Sequence, residues 1–115
     1  MATTVSDFVI QRLEDWGVQR VFGFPGDGIG EFDDALGRAA REGEGLEYIR
    51  PTHEEVCSLM ATAYAKFSGE VGVCVATSSP GAFHMLNGLY DAKMDNQPVV
   101  AIIGQQGLPS FGTFT

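Results

Sequence analysis

The sequence predicts an α/β domain: a parallel sheet with helices on both faces. Three observations carry that reading. Apolar residues alternate between helical spacing and short strand-like runs along the whole chain. The connections between these segments are short. One run, "VGVCVAT" from Val71 to Thr77, is unbroken and rich in β-branched residues, as in a strand buried on both faces. At 115 residues the chain has the length of one domain, residues 1–115.

The elements follow in order. Val5, Phe8, Val9, Leu13 and Trp16 repeat at helical spacing, so a first helix is expected over Thr3–Trp16 with these residues inward. Gly17 supplies its C-terminal stop. Val18–Phe24 reads as a short buried strand, and Pro25-Gly26-Asp27-Gly28 as a turn whose glycines tolerate positive φ. A second helix turns Ile29, Phe32, Leu36, Ala39 and Ala40 inward and ends near Gly43 and Gly45. "LEYI" is a second strand. A third helix spans His53–Phe67, with Val56, Leu59, Met60, Ala63 and Phe67 at core spacing and Ser68-Gly69 as its stop. After the buried strand, "SSPGAFHMLNGLY" opens a fourth helix, with Ser79 as N-cap and Pro80 at the first helical position. Pro98 introduces the last strand, "VVAII".

Composition narrows the function. Fifteen acidic against seven basic residues give a net charge of −8. Nucleic acid is not expected as a partner, because phosphate neutralisation needs clustered Lys and Arg. An anionic membrane surface is equally unsuited to this charge. The N-terminus "MATTVSDFVIQRLEDW" carries charges throughout and no apolar signal core, so a cytoplasmic protein is expected. Cys57 and Cys74 sit in apolar patterns without metal-ligand spacing, as reduced buried thiols do.

Ligands of parallel α/β folds sit at the carboxyl ends of the strands. Three loops qualify: Pro25–Gly28, Pro51–Glu54 and Ser78–Ala82. The Gly26-Asp27-Gly28 triplet looks like the start of a diphosphate–magnesium motif. Magnesium, however, wants near-octahedral oxygen ligands, and such motifs add an Asn-Asn pair. The two asparagines here, Asn87 and Asn96, are not adjacent. No metal site is expected in this chain.

Read in order, "VFGFPGDG", "THEEVCSLMATAYAKFSGEVGVCVATSSPGA" and "NGLYDAKMDNQPVVAIIGQ" resemble the N-terminal pyrimidine-binding domain of thiamine-diphosphate-dependent enzymes. The resemblance runs from Val5 to about Gln106 and is nearest to pyruvate oxidases, with acetolactate synthases and pyruvate decarboxylases as relatives. It implies the thiamine-diphosphate-binding fold. It also implies that this chain holds the pyrimidine half of thiamine diphosphate, while another domain holds the diphosphate. Mg and FAD belong to the full-length family and are not expected on this chain.

Glu54 matches the family's essential glutamate, in a His-Glu pair that opens a helix. The resemblance gives it the task of hydrogen-bonding N1′ of the aminopyrimidine and favouring the imino tautomer, so that the thiazolium carbon can lose its proton. Burial is expected to strengthen that bond and raise the carboxyl's pKa. Taken without the resemblance, a Glu in the first turn of a helix commonly complements the helix dipole. Glu55 serves as the contrast, expected to be solvated. Ser78, Pro80 and Gly81 match the loop lying against the pyrimidine, Gly81 permitting close approach. Pro25, Gly26 and Asp27 match the substrate-side loop; Asp27 either contacts substrate or bonds nearby backbone in the turn. The decarboxylase relatives' consecutive histidines have no match here, which turns the reading away from plain decarboxylation. His53 is expected as a structural neighbour of Glu54, His84 as a helix-surface or interface residue, and Phe83 and Met85 as core or interface.

The tail "GLPSFGTFT" does not resemble the family at that position, so the expectation is a truncated domain that needs a diphosphate-binding domain from another chain or a missing segment. A sheet edge and apolar helix faces left uncovered would favour a homo-oligomer. By itself the chain is expected to be catalytically silent. An acetolactate synthase-like fragment, or a non-catalytic relict acting only in subunit association, stands as the alternative.

Overall fold

A computed structural model describes residues 3–43, 45–110 and 112; the part of the tail at Phe111 and Thr113–Thr115 lies outside the described residues. The elements are α1 Val5–Asp15, β1 Arg20–Gly23, a 3-10 turn at Asp27–Ile29, α2 Gly30–Arg41, β2 Glu47–Ile49, α3 Glu54–Ser68, β3 Gly72–Ala76, α4 Pro80–His84, α5 Leu86–Met94, β4 Val99–Ile103 and a second 3-10 turn at Leu108–Ser110. The four strands form one wholly parallel sheet in the order β2-β1-β3-β4.

The strand period of two sorts the core onto two faces. Val21, Val73 and Val75 point to one side and pack against Ile10 and Leu13 of α1 and Phe32, Ala35 and Leu36 of α2. Phe22, Cys74 and Ala76 point to the other side, against Cys57 and Ala61 of α3 and Met85. All five residues of β3 are buried, as its continuous apolar run predicts. Helices therefore cover both faces.

Local chemistry sets the ends. Thr4 and Asp7 form a capping box at α1, which satisfies backbone donors that the helix cannot. Gly17 and Gly69 take the left-handed conformation, with φ of 82° and 74°, where the chain leaves α1 and α3. These two stops were legible in the sequence.

Two helices bury only part of the expected face: Val9 and Leu13 of α1 and Met60 of α3 pack on the core, and others of the expected residues do not. In α1 the buried residues are Ile10 and Leu13, while Val5, Phe8 and Trp16 are exposed. In α3 the buried residues are Cys57, Ser58, Ala61, Thr62 and Ala65, while Leu59 is 40% and Phe67 95% exposed. The reason is closeness. A Cβ on Gly72 of β3 would overlap the backbone of Ala61, and one on Gly88 of α5 would overlap that of Ser58 and Leu59. α3 is so near its neighbours at these two points that only small side chains fit between, and Leu59 and Phe67 face outward. Ala40 of α2 is also exposed, since the inward stripe of α2 is set by Phe32, Ala35 and Leu36.

Three further expectations are corrected. The helix after β3 is broken into α4 and α5 at the fully buried Met85. Ser79 occupies the N-cap position but makes no side-chain cap bond there. Gly26 and Gly28, read as glycines that tolerate positive φ, do not adopt it; φ of Gly26 is −172°. Their requirement is space, as the site makes clear.

Candidate functional site

The loops after β1 and β3 meet at the carboxyl edge of the sheet, and Thr77 is where they meet. A Cβ on Gly26 would lie 2.7 Å from Thr77 Cβ, one on Gly28 2.7 Å from Thr77 Oγ1, and one on Gly81 2.8 Å from Thr77 Cγ2. The backbone N–H of Gly28 donates to Thr77 Oγ1 over 3.1 Å. Thr77 thus locks the Pro25–Gly28 and Ser78–Ala82 loops together through three bare glycines. Sequence reasoning passed over it. The signal lay in the small residues around it, which no periodicity weighs.

Glu54 opens α3 with its side chain 14% exposed. Before it, His53 caps the helix by an uncommon route: its ring Nδ1 accepts the N–H of Glu55 over 3.1 Å. His84, the last residue of α4, brings Nδ1 to 3.2 Å from Glu54 Oε2. The two imidazoles tilt against each other with centroids 4.4 Å apart. Oε1 of Glu54 faces Gly81, 3.5 Å from where a Cβ would sit. The glycine places no side chain between the carboxyl and the loop after β3.

The charge balance at Glu54 differs from expectation. Burial pushes its pKa up, but the backbone N–H of the helix start, the His84 hydrogen bond and the nearby imidazoles outweigh it and hold the carboxyl below the usual glutamate range. Cys57 lies one turn on; burial and the Glu54 charge push its thiol up to about 11. Burial and the neighbouring Cys57 push Cys74 to about 12. Both are free, buried and protonated at neutral pH.

His53, Glu54 and His84 offer ligand atoms within 4.8 Å of one another. The cap bond opposes a metal there: while Nδ1 of His53 accepts from Glu55, the neutral ring carries its proton on Nε2, the atom that would have to bind. Glu55, expected to be solvated, accepts a hydrogen bond from Asn87 Nδ2 over 3.0 Å.

Of the remaining predicted residues, Pro80 starts α4 and is exposed. Ser78 Oγ accepts from Gln106 Nε2 over 3.4 Å. Asp27 is exposed at the head of the first 3-10 turn, and among the described residues its carboxylate bonds no nearby backbone. Beside it a cleft of about 480 Å³ runs between Asp27, Gly28 and Glu31 on one side and Gln105 and Gln106 on the other. Phe83 is exposed and Met85 is core.

The sequence profile described as thiamine pyrophosphate enzyme, N-terminal TPP binding domain, matches residues 3–114. The chain belongs to this family. The match runs into the tail as far as residue 114, so all but the last residue of "GLPSFGTFT" lies within it, contrary to expectation. A Bacillus subtilis (strain 168) protein, YdaP, provisionally described as thiamine pyrophosphate-containing, is 49% identical over 89% of this chain and 17% of its own length. The pyruvate oxidase of Lactiplantibacillus plantarum is 46% identical over 86% of this chain and 16% of its own length. The acetolactate synthase isozyme 2 large subunit of Escherichia coli (strain K12) is 43% identical over 94% of this chain and 19% of its own length. The chain spans less than a fifth of these relatives. No helix among the described residues is long and apolar enough to cross a membrane.

Proposed function

We propose that this chain forms the pyrimidine-binding half of a thiamine-diphosphate-dependent enzyme acting on 2-oxo acids, pyruvate oxidase-like, in which Glu54 activates the aminopyrimidine. One observation carries the reading. A carboxyl group at the start of a helix is mostly withdrawn from water, with Oε1 turned to a bare glycine in the loop after β3. The bound cofactor would supply the carbanion chemistry.

The chain's own residues bind and orient. Glu54 shares a proton with a ring nitrogen through Oε1, the oxygen facing Gly81. Gly81, Ser78 and Pro80 shape the wall against which the ring lies. Thr77 fixes that wall to the β1 loop, so that Pro25, Gly26 and Asp27 line the substrate side. The diphosphate, and the magnesium that accompanies it, fall to a second domain on another chain or segment, and the chain by itself is catalytically silent. Leu59 and Phe67 of α3, Phe83 of α4 and Leu86, Tyr90 and Met94 of α5 are exposed apolar side chains that association would cover. An acetolactate synthase-like activity is the second reading, favoured by the relatives of that name.

Calorimetric titration with thiamine diphosphate and magnesium, beside Glu54→Gln, tests the reading. Binding that weakens in the variant is the expected result. Binding that the variant leaves unchanged would remove Glu54 from the site.

A further inference from the structure

His84 is half exposed, yet its ring is held on two sides, by the Glu54 carboxylate at 3.2 Å and by the His53 ring at 4.4 Å. Its backbone is equally well placed. It ends α4, and the next residue, Met85, is fully buried and donates its N–H to the carbonyl of Ala82. Three residues after His84, Asn87 reaches Glu55. Two cross-helix contacts, His84 to Glu54 and Asn87 to Glu55, therefore set the register of α4 and α5 against the start of α3.

A glutamate in the first turn of a helix has several staggered rotamers open to it. Fixing one of its oxygens removes that freedom. An ionised carboxylate only accepts hydrogen bonds, so His84 must donate from Nδ1. With Oε2 so engaged, Oε1 is the oxygen left facing Gly81. An orienting group that holds a reacting group in one geometry commonly matters as much as the reacting group's own position.

We propose that His84 is the positioning residue of Glu54: its Nδ1–H holds Oε2 and so presents Oε1 to the pyrimidine. This rests on the reading of Glu54 given above. The titratable groups facing the carboxyl are His53 at the cap, His84 from α4 and Cys57 one turn along α3. The hydrogen bond from His84 is among the causes that hold Glu54 below the usual glutamate range.

The test is the Glu54 side-chain carbon followed by NMR through a pH titration of the chain, in the native protein, His84→Ala and His84→Asn. Backbone spectra check that each variant is folded. His84→Ala should move the Glu54 midpoint upward. His84→Asn, whose amide nitrogen takes the place of Nδ1, should hold it down. A purely structural histidine would show no such rescue. A midpoint unmoved in His84→Ala, or an Asn variant that titrates like the Ala variant, overturns the proposal. Thiamine diphosphate affinity adds a second reading: His84→Ala should weaken it by about 3–10-fold, the loss of one hydrogen bond, with Asn restoring it. If Glu54→Gln leaves that affinity untouched, the reading of Glu54 falls, while the titration still decides whether His84 holds the carboxylate.

Discussion

Gly88 is the point where α5 crosses α3, and Gly88→Ala is the most informative single change in the fold. A Cβ there would sit 2.5 Å from the carbonyl carbon of Ser58 and 2.6 Å from the backbone nitrogen of Leu59. These are backbone atoms and cannot rotate away. Restoring ordinary contact requires α3 and α5 to part by about 0.9 Å, an overpacking that costs about 1–3 kcal/mol. The same displacement strains the bond from Thr62 Oγ1 to the carbonyl of Gly88, now 2.9 Å, which contributes about 1 kcal/mol. Against this, alanine improves helix propensity by about 1 kcal/mol. The net loss is about 1–3 kcal/mol, a fall in Tm of roughly 4–15 °C for a domain of this size. Urea and thermal unfolding measure it directly. Gly37→Ala is the control, because its Cβ in α2 meets nothing nearer than an Arg41 side-chain nitrogen at 3.5 Å. That variant should hold its stability or gain up to about 1 kcal/mol. A Gly88→Ala protein as stable as the native one would refute the close crossing. The crossing also matters to the site. Parting the helices would stretch the 3.2 Å contact of His84 with Glu54 beyond hydrogen-bond reach.

Two smaller predictions concern strain and pH. Ser79, at φ 54° and ψ −110°, adopts a conformation that a side chain opposes; Ser79→Gly should raise the urea midpoint, by up to about 1 kcal/mol, as relief of strain exceeds the added chain entropy. Asp7 accepts from the backbone of Thr4 and from Arg38, which lowers its pKa from 3.8 to about 2. A depressed carboxyl stabilises the fold above its unfolded value, and that stability disappears as pH falls from about 4 to about 2. Urea midpoints across this range should therefore drop in the native chain and drop less steeply in Asp7→Asn.

Much of the fold was legible because its signals are local. The buried run of β3, the glycine stops after α1 and α3 and the proline before β4 each declare themselves within a few residues. Helix faces were less legible. Periodicity follows large apolar residues, and α3 buries Ser58, Ala61 and Thr62 because its neighbours leave room for nothing larger. The site divides in the same way. Glu54 could be singled out from the His-Glu pair at a helix start, with the family resemblance behind it. Its partner His84 stands 30 residues away and Thr77 is joined to Gly28 across 49; no spacing rule links either pair. The carboxyl's depressed pKa was unreadable too, since it depends on donors that only the packed helices bring together.

Gly26, Gly28 and Gly81 press on Thr77, and a Cβ on Gly104 would overlap the carbonyl of Gly28. This corner of the molecule is consequently built of peptide groups rather than side chains. A methyl added at any of these four glycines collides with Thr77 or with the Gly28 backbone. Under the function proposed above, selectivity at this corner is retuned in two ways: by exchanging exposed Asp27, or by inserting and deleting loop residues. Point substitution at its glycines would cost the architecture before it changed the preference.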